Sequence, residues 1–297
     1  MYLKKHYEEL EITDDFMFGK VMEDKVLCRE TLECLLGYKI GELHEVQSQK
    51  QVMITADGKP IRFDIYTRDN RAVYDAEMQN LNGNRIENLE LPKRARFYQS
   101  SIDMDFISKG EPYRLLPEGN VIFICTFDPF GKGLAVYNFE NVCLESPDIK
   151  LEDQTHKIFY NCTCIGEGIS KELRSLYRYI QCGEINSGLT EKIHRAVVTA
   201  RMRTEWRSEY MKELLRYEDA REEGREEGRE EGAKNKLTEM VCRKYVKGKS
   251  IEQVAEELEE SIESVADIYV KIERIVAIEN NIADDAIKIY EKVIALM

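Results

Sequence analysis

The chain has 297 residues, of which 43% are hydrophobic and 33% charged, and its formal net charge is −13. This length accommodates one sizeable core with an appendage, or two domains. The acidic balance argues against a passive coat of nucleic acid, because neutralising phosphates requires a basic surface. It leaves open an enzyme whose acids hold a cation and whose basic residues cluster in one place.

Membrane association and export are not expected from this sequence. No apolar run approaches the roughly 20 residues of a membrane span, and the opening MYLKKHYEELEITDD has no apolar signal segment. We therefore expect a cytoplasmic protein whose eight cysteines, which include no CxxC pair, are reduced thiols. A zinc site at Cys162 and Cys164 would need two further ligands close by.

The first half of the chain predicts a helix, three strands and a second helix. The first helix is expected over residues 14–36, with Gly37 as its stop. The strands and the second helix are expected over residues 46–55, 61–67, 72–79 and 88–108. Pro92 is tolerable only in the first turn of that helix, because it removes a hydrogen-bond donor.

The middle of the chain adds further strands and then becomes helical. NVIFICTFD, residues 120–128, is a continuous apolar run of the kind found in a buried central strand. GLAVYNFEN and HKIFYNCTC predict further strands, and residues 170–217 have helical patterning. This order of elements predicts an α/β fold with a mixed central sheet flanked by helices.

The composition changes at REEGREEGREEG, residues 221–232. This repeat has no apolar face and predicts a solvated linker or a marginal helix. Beyond it the sequence predicts three or four amphipathic helices. The stretch SIEQVAEELEESIESVADIY is similar to a helix-turn-helix unit, but Glu259 and Glu260 occupy its usual glycine turn. Glu263 and Asp267 on the second helix would repel phosphate, which favours a structural or self-associating module.

Acidic residues interrupt two neighbouring strands in IRFDIYTRDNRAVYDAEMQ, residues 61–79. Side chains alternate along a strand, so Asp75, Glu77 and Gln79 share one face. If the adjacent strand places Asp64 beside Glu77, the two carboxylates repel each other unless a cation lies between them or one is protonated. Mg²⁺ suits such a pair, with the Met78 carbonyl as a further ligand.

The alternative interpretation of these acids is an exposed hairpin. Its carboxylates would then be solvated and joined by salt bridges to nearby arginines, namely Arg62, Arg68 or Arg71. A match to such a short pattern is weak by itself, so the surrounding elements decide between the two interpretations.

In its order of motifs over residues 12–230 the chain resembles the PD-(D/E)XK nuclease superfamily, specifically the recombination-promoting nucleases that are also labelled PD-(D/E)XK transposases. The matching stretches are TDDFMFGKVMED, IRFDIYTRDNRAVYDAEMQ, LPKRARFYQSSI, GEPYRLLPEGNVIFICTFDPF and GREEGREEG. The resemblance implies a restriction-endonuclease-like αβββαβ core and a bacterial setting linked to recombination or mobile elements. The implied activity is metal-dependent cleavage of DNA phosphodiesters.

The resemblance also assigns roles to residues of this sequence. Asp64 and Glu77 would be the metal ligands, for Mg²⁺ or alternatively Mn²⁺ or Ca²⁺, and Gln79 would take the place usually held by lysine. Arg94 and Tyr98, four residues apart on the following helix, could hold a backbone phosphate; Arg94 could equally pair with an acid such as Glu90. The final set of expectations concerns domains: a nuclease-like domain over 1–205, a helical, charged linker over 206–235 and a helical module over 236–297.

Other functions remain open at the level of sequence. Glu23 could add a further acid to the site, or could be a solvated helix residue. A catalytically inactive adaptor could keep the fold and bind protein or DNA through its C-terminal helices. A DNA-joining transposase is a third possibility, although no residue argues for joining. Cutting both DNA strands would suggest a homodimer, because one such site cuts one strand.

Overall fold

The computed structural model describes residues 5–52, 61–80, 85–166, 168–279, 282 and 285–295. For residues 85–89 it describes the backbone but not the side chains. The chain divides into two compact units, Met1–Tyr210 and Met211–Met297. No helix in the described ranges is both long and apolar enough to cross a membrane.

The first unit is an α/β structure with a mixed sheet, as the sequence predicts. Its elements are α1 (Asp15–Met22), α2 (Lys25–Leu36), β1 (Val46–Val52), β2 (Ile61–Arg68), β3 (Ala72–Gln79), α3 (Arg85–Phe106), β4 (Glu118–Cys125), β5 (Val136–Phe139), β6 (Thr155–Asn161), α4 (Lys171–Cys182) and α5 (Gly188–Arg201). The helix α6 (Thr204–Tyr245) follows, and α7 (Ile251–Leu258), α8 (Ile262–Ile278) and α9 (Ala286–Ile294) complete the helical part.

The six strands of the sheet lie in the order β1-β2-β3-β4-β6-β5. The first three strands are antiparallel to one another, β3, β4 and β6 run parallel, and β5 is antiparallel to β6. The central strands β3 and β4 are the most deeply buried, in keeping with the unbroken apolar run of β4.

Helices pack on both faces of the sheet. Successive residues of β3 therefore face different helices. Ala76 and its neighbour Ile65 face Phe18 and Leu32 of the first two helices. On the other face, α3 packs on an aromatic core that includes Phe63, Tyr98, Phe123 and Phe159. The odd-numbered residues of β3 point toward α3, and the acidic residues are among them.

Two helices replace the single one expected over residues 14–36. The Asp24 side chain accepts hydrogen bonds from the backbone N–H groups of Val26 at 2.9 Å and Leu27 at 3.0 Å, which caps a new helix. Gly37 ends α2 in the left-handed conformation, with φ of 78°, as predicted.

Pro92 lies inside α3 rather than in its first turn, so the expected start of this helix is wrong. Pro92 is exposed, and water can therefore satisfy the carbonyl that loses its partner.

The glycine-rich repeat is helical. It lies within α6, where Arg225 Nη2 is 3.6 Å from Glu222 Oε1, an ion pair between residues three apart on the helix. A Cβ added at Gly224, Gly228 or Gly232 would meet nothing within 4 Å. The repeat is thus a solvated helix, with no packing reason for its glycines.

The second unit has its own apolar core, formed by the end of α6 together with α7, α8 and α9. Ser250 and Gln253 form a capping box, and Ser261 caps α8. Glu259, between α7 and α8, has a φ of 56°, the left-handed region that favours glycine. The turn therefore keeps the backbone of a glycine turn while carrying a side chain.

We expect Glu259→Gly to stabilise the second unit by about 1 kcal/mol, because glycine adopts this conformation without a Cβ clash. Hydrogen-exchange protection of the α7 and α8 amides in the full chain measures the effect. Glu260→Gly is the matched control, since Glu260 does not have a positive φ, and it should be neutral or destabilising. Equal effects of the two substitutions would contradict the strain assigned to Glu259.

Candidate metal centre

Asp64 and Glu77 come together where the backbone pairing of β2 and β3 ends. The regular register between these strands runs from Arg68 opposite Val73 to Ile65 opposite Ala76. At the next pair of residues, Asp64 and Glu77, hydrogen bonds to side chains replace those between the two backbones. The Asp64 N–H donates to Glu77 Oε1 at 2.8 Å, and the Met78 N–H donates to Asp64 Oδ2 at 3.0 Å. Each strand thus fixes the carboxylate of the other.

The neighbouring strand β1 is irregular at the same level. Its pairing with β2 passes from Ser48–Ile65 to Lys50–Phe63, and Gln49 between them has a φ of 53°. A Cβ on Gly19 of α1 would lie 3.6 Å from the Asp64 carbonyl oxygen, so the α1 backbone approaches the strands closely here. The irregular part of β1 and the backbone of α1 therefore both lie next to Asp64.

Three carboxyl groups are buried in this region. Asp64, Asp75 and Glu77 are 6%, 0% and 1% exposed. Burial raises the pKa of each well above its ordinary range, and repulsion from a neighbouring carboxylate raises it further. Asp75 adjoins Glu77, and with both acids ionised neither Asp75 oxygen has a hydrogen-bond partner.

Arg94 is the cation that faces these acids from α3. Its Nη2 lies 3.4 Å from Glu77 Oε2 and 3.2 Å from the Tyr98 hydroxyl oxygen. Its Nη1 donates to Gln79 Oε1 at 2.9 Å, and the Gln79 amide donates to the Met78 carbonyl at 3.2 Å. All five residues predicted for the site, Asp64, Glu77, Gln79, Arg94 and Tyr98, therefore form one connected group.

The interpretation of an exposed hairpin with solvated acids is wrong for this group. The acids are buried, and Arg62 pairs with Asp15 at 3.0 Å. The acid paired with Arg94 is Glu77 rather than the alternative Glu90. Glu23 accepts from the Ser48 hydroxyl at 2.5 Å and pairs with Lys20 at 3.1 Å, so these contacts do not bring it to Asp64 and Glu77.

The donor set fits a divalent cation that binds hard oxygen ligands. Three buried carboxyls facing one guanidinium leave negative charge uncompensated whenever all three are ionised. No three His, Cys, Asp or Glu side chains in the described ranges are arranged to surround a metal. Such an ion would therefore rely on two carboxylates and fill its other positions with water or substrate, the usual pattern for Mg²⁺.

The sequence did not predict that the buried Asp75 carboxyl would have no hydrogen-bond partner. Alternation along β3 places it on the same face as Glu77, but nothing in the sequence indicates that it lacks a cationic partner. In the described ranges, no cysteine belongs to a group of three side chains arranged to hold a metal. All eight are free, and Cys164 Sγ lies 3.3 Å from the Gly133 carbonyl oxygen.

Comparisons of the chain with protein-family models, curated proteins and solved structures returned no match.

Without a divalent metal, we expect Asp75→Asn to stabilise the protein at pH 8 by about 1–3 kcal/mol, because it removes a buried charge without a partner. The folded-state pKa of Asp75 is raised by burial. Its stabilising contribution is therefore complete below the unfolded pKa, about 4, and is lost as pH rises through the folded pKa. Urea unfolding in EDTA at pH 5 and pH 8 should give a larger gain at pH 8.

Asp69→Asn is the control of opposite sign. Burial opposes ionisation of Asp69, but hydrogen bonds from the N–H groups of Arg71, Ala72 and Gly41, each at 2.8 Å, lower its pKa. Its contribution is present above the unfolded pKa and lost as pH falls through the folded one, so this variant should be less stable at both pH values. A loss of stability in Asp75→Asn at pH 8 would contradict the isolation of its charge.

Proposed function

We propose that the first unit is a metal-dependent endonuclease that hydrolyses DNA phosphodiester bonds. The observation that carries this proposal is the reciprocal pair of Asp64 and Glu77, two buried carboxylates fixed by hydrogen bonds to each other's strands. A buried site with excess negative charge is suited to a cation, and a cation between acids is suited to an anionic substrate.

The order of elements supports the same proposal. A helical segment, three antiparallel strands, α3 and then the parallel strand β4 follow one another in the sequence αβββαβ. Asp64 lies on the second strand and Glu77 on the third, as the resemblance to PD-(D/E)XK nucleases implies. We extend the proposal to a bacterial, cytoplasmic setting linked to recombination or mobile elements, on that resemblance alone.

In this mechanism Asp64 and Glu77 hold Mg²⁺, or Mn²⁺ or Ca²⁺, through their carboxylate oxygens. When bound, the ion supplies a water of lowered pKa and neutralises charge on the scissile phosphate. Gln79 orients the attacking water or a phosphate oxygen, because its amide can both donate and accept a hydrogen bond. Burial of the acids excludes bulk water and strengthens these electrostatic interactions.

Arg94 and Tyr98 bind the phosphate in this proposal. Arg94 lies against Glu77 and Gln79 and carries the positive charge nearest the acids in the described group. Glu77 would be attracted less strongly to Arg94 if its carboxylate held a divalent cation. The guanidinium is then able to contact a phosphate oxygen, with the Tyr98 hydroxyl beside it.

One observation favours a second candidate, an inactive adaptor with this fold. In the structure both carboxylates bind backbone N–H groups, and such contacts also serve a purely structural role. Purified protein that binds DNA in EDTA but cuts none in any divalent metal would support this candidate instead.

We expect Asp64→Ala and Glu77→Ala to abolish Mg²⁺-dependent nicking of supercoiled plasmid. The loss should exceed the roughly 10- to 100-fold typical of residues that only orient a metal ligand. Asp105→Ala is the matched control. Asp105 is an acid outside the group formed around Asp64 and Glu77. Its Oδ2 lies 2.6 Å from Lys50 Nζ, and its loss should leave nicking unchanged. Full activity of Asp64→Ala would overturn the nuclease assignment.

Arg94→Gln should strengthen Ca²⁺ binding while lowering kcat/KM for plasmid nicking. Removing the guanidinium removes a positive charge that competes with the ion for Glu77, but it also removes the proposed phosphate ligand. Isothermal titration calorimetry with Ca²⁺ and steady-state nicking assays measure the two effects. Unchanged nicking together with weaker Ca²⁺ binding would mean that Arg94 only supports the acids structurally.

A further inference from the structure

A loop at residues 128–133, DPFGKG, is held in one shape by side-chain hydrogen bonds. Asp128 accepts from the N–H groups of Phe130 at 3.1 Å, Gly131 at 2.9 Å and Gly133 at 2.7 Å, and from the Tyr137 hydroxyl at 2.7 Å. The same hydroxyl accepts from the Lys132 N–H at 3.2 Å. The loop is thus ordered before any ligand binds, which lowers the entropic cost of binding.

The loop leaves the sheet at the edge where the acid-bearing strand ends. The parallel strands β3 and β4 are in register up to Gln79 opposite Cys125, and the next residue, Thr126, donates its N–H to the Gln79 carbonyl at 2.9 Å. Ligands of open α/β sheets bind outside the carboxyl ends of parallel strands. The loop therefore begins at the end of β3 that carries Gln79, on the β4 side of the candidate metal centre.

The tip of the loop carries an exposed cation on an accessible backbone. Lys132 lies between Gly131, with φ of 65°, and Gly133, with φ of 70°. A Cβ at either glycine would meet nothing within 4 Å, so a ligand can approach the main chain closely.

Two further cations are exposed on the outer side of α3, Lys93 and Arg96. A Cβ on Gly119 of β4 would overlap the Gln99 amide, so this flank of α3 lies over β4, and Arg96 is about one turn before Gln99. The neighbouring Phe97 is 40% exposed. Among the residues that the structure describes, Lys93, Arg96 and Lys132 form no ion pair.

We propose that Lys93, Arg96 and Lys132, here called the basic rim, bind the sugar-phosphate backbone of a DNA strand beside the scissile phosphate. A chain of net charge −13 with three buried acids repels DNA, so a bound strand needs exposed cations, and these three form no ion pair within the described part of the chain. This inference rests on the proposed nuclease function, and it adds the surface that guides the substrate.

The test measures binding separately from cleavage. Fluorescence anisotropy of a labelled DNA duplex in Ca²⁺ is recorded for the full chain between 50 and 200 mM salt. Each phosphate contact adds about 0.9 to the steepness with which log affinity falls with log salt concentration. By the same relation, one contact changes the affinity about eightfold at 100 mM salt. Lys132→Ala and Arg96→Ala should each lose about that much, while kcat at saturating plasmid stays unchanged.

Lys109→Ala is the matched control, because Lys109 is exposed and follows the opposite end of α3. It should leave both the affinity and the salt slope unchanged. If the wild type nicks plasmid but the rim variants bind with its affinity and slope, the basic rim is overturned and the metal site stands. If the rim variants lose affinity in a protein that never cuts, the surface stands and the nuclease function fails. A wild type that binds no duplex overturns the rim.

Discussion

The exchange of two hydrogen bonds between Asp64 and β3 is the interaction on which the site depends. At this point the sheet gives up regular pairing, and each strand instead binds the carboxylate carried by the other, at 2.8 Å and 3.0 Å. Carboxylates that accept backbone N–H groups keep a defined position although burial opposes their charge. The position of the acids is thus set by the backbone of the sheet, rather than by flexible side-chain contacts.

Charge balance explains the other residues of the centre. Asp64, Asp75 and Glu77 are buried within one region, and Arg94 contacts only Glu77 among them. A buried carboxylate with no counterion destabilises the fold, so the arrangement makes sense when a further cation or proton joins it. Residues that merely stabilise the sheet would be better replaced by apolar ones. This excess of negative charge is the physical reason for proposing that the acids bind a cation.

Local patterns in the sequence were sufficient for the strands and for the face shared by Asp75, Glu77 and Gln79. They failed at Asp24, Pro92 and Asp75. The helix break at Asp24 depends on a cap inside an otherwise helical run, and Pro92 is tolerated within α3 because it faces solvent. The isolation of Asp75 depends on packing between α3 and the sheet, which no local pattern encodes.

The central claim is that Asp64 and Glu77 share one divalent ion. Anomalous diffraction from crystals of the full chain soaked in Mn²⁺ tests it most directly. The account predicts one strong peak within about 2.3 Å of oxygens from both side chains, with Arg94 turned away from Glu77. No peak at this position, with both carboxylates still bound to the backbone N–H groups of Met78 and Asp64 and with Arg94 still beside Glu77, would contradict it.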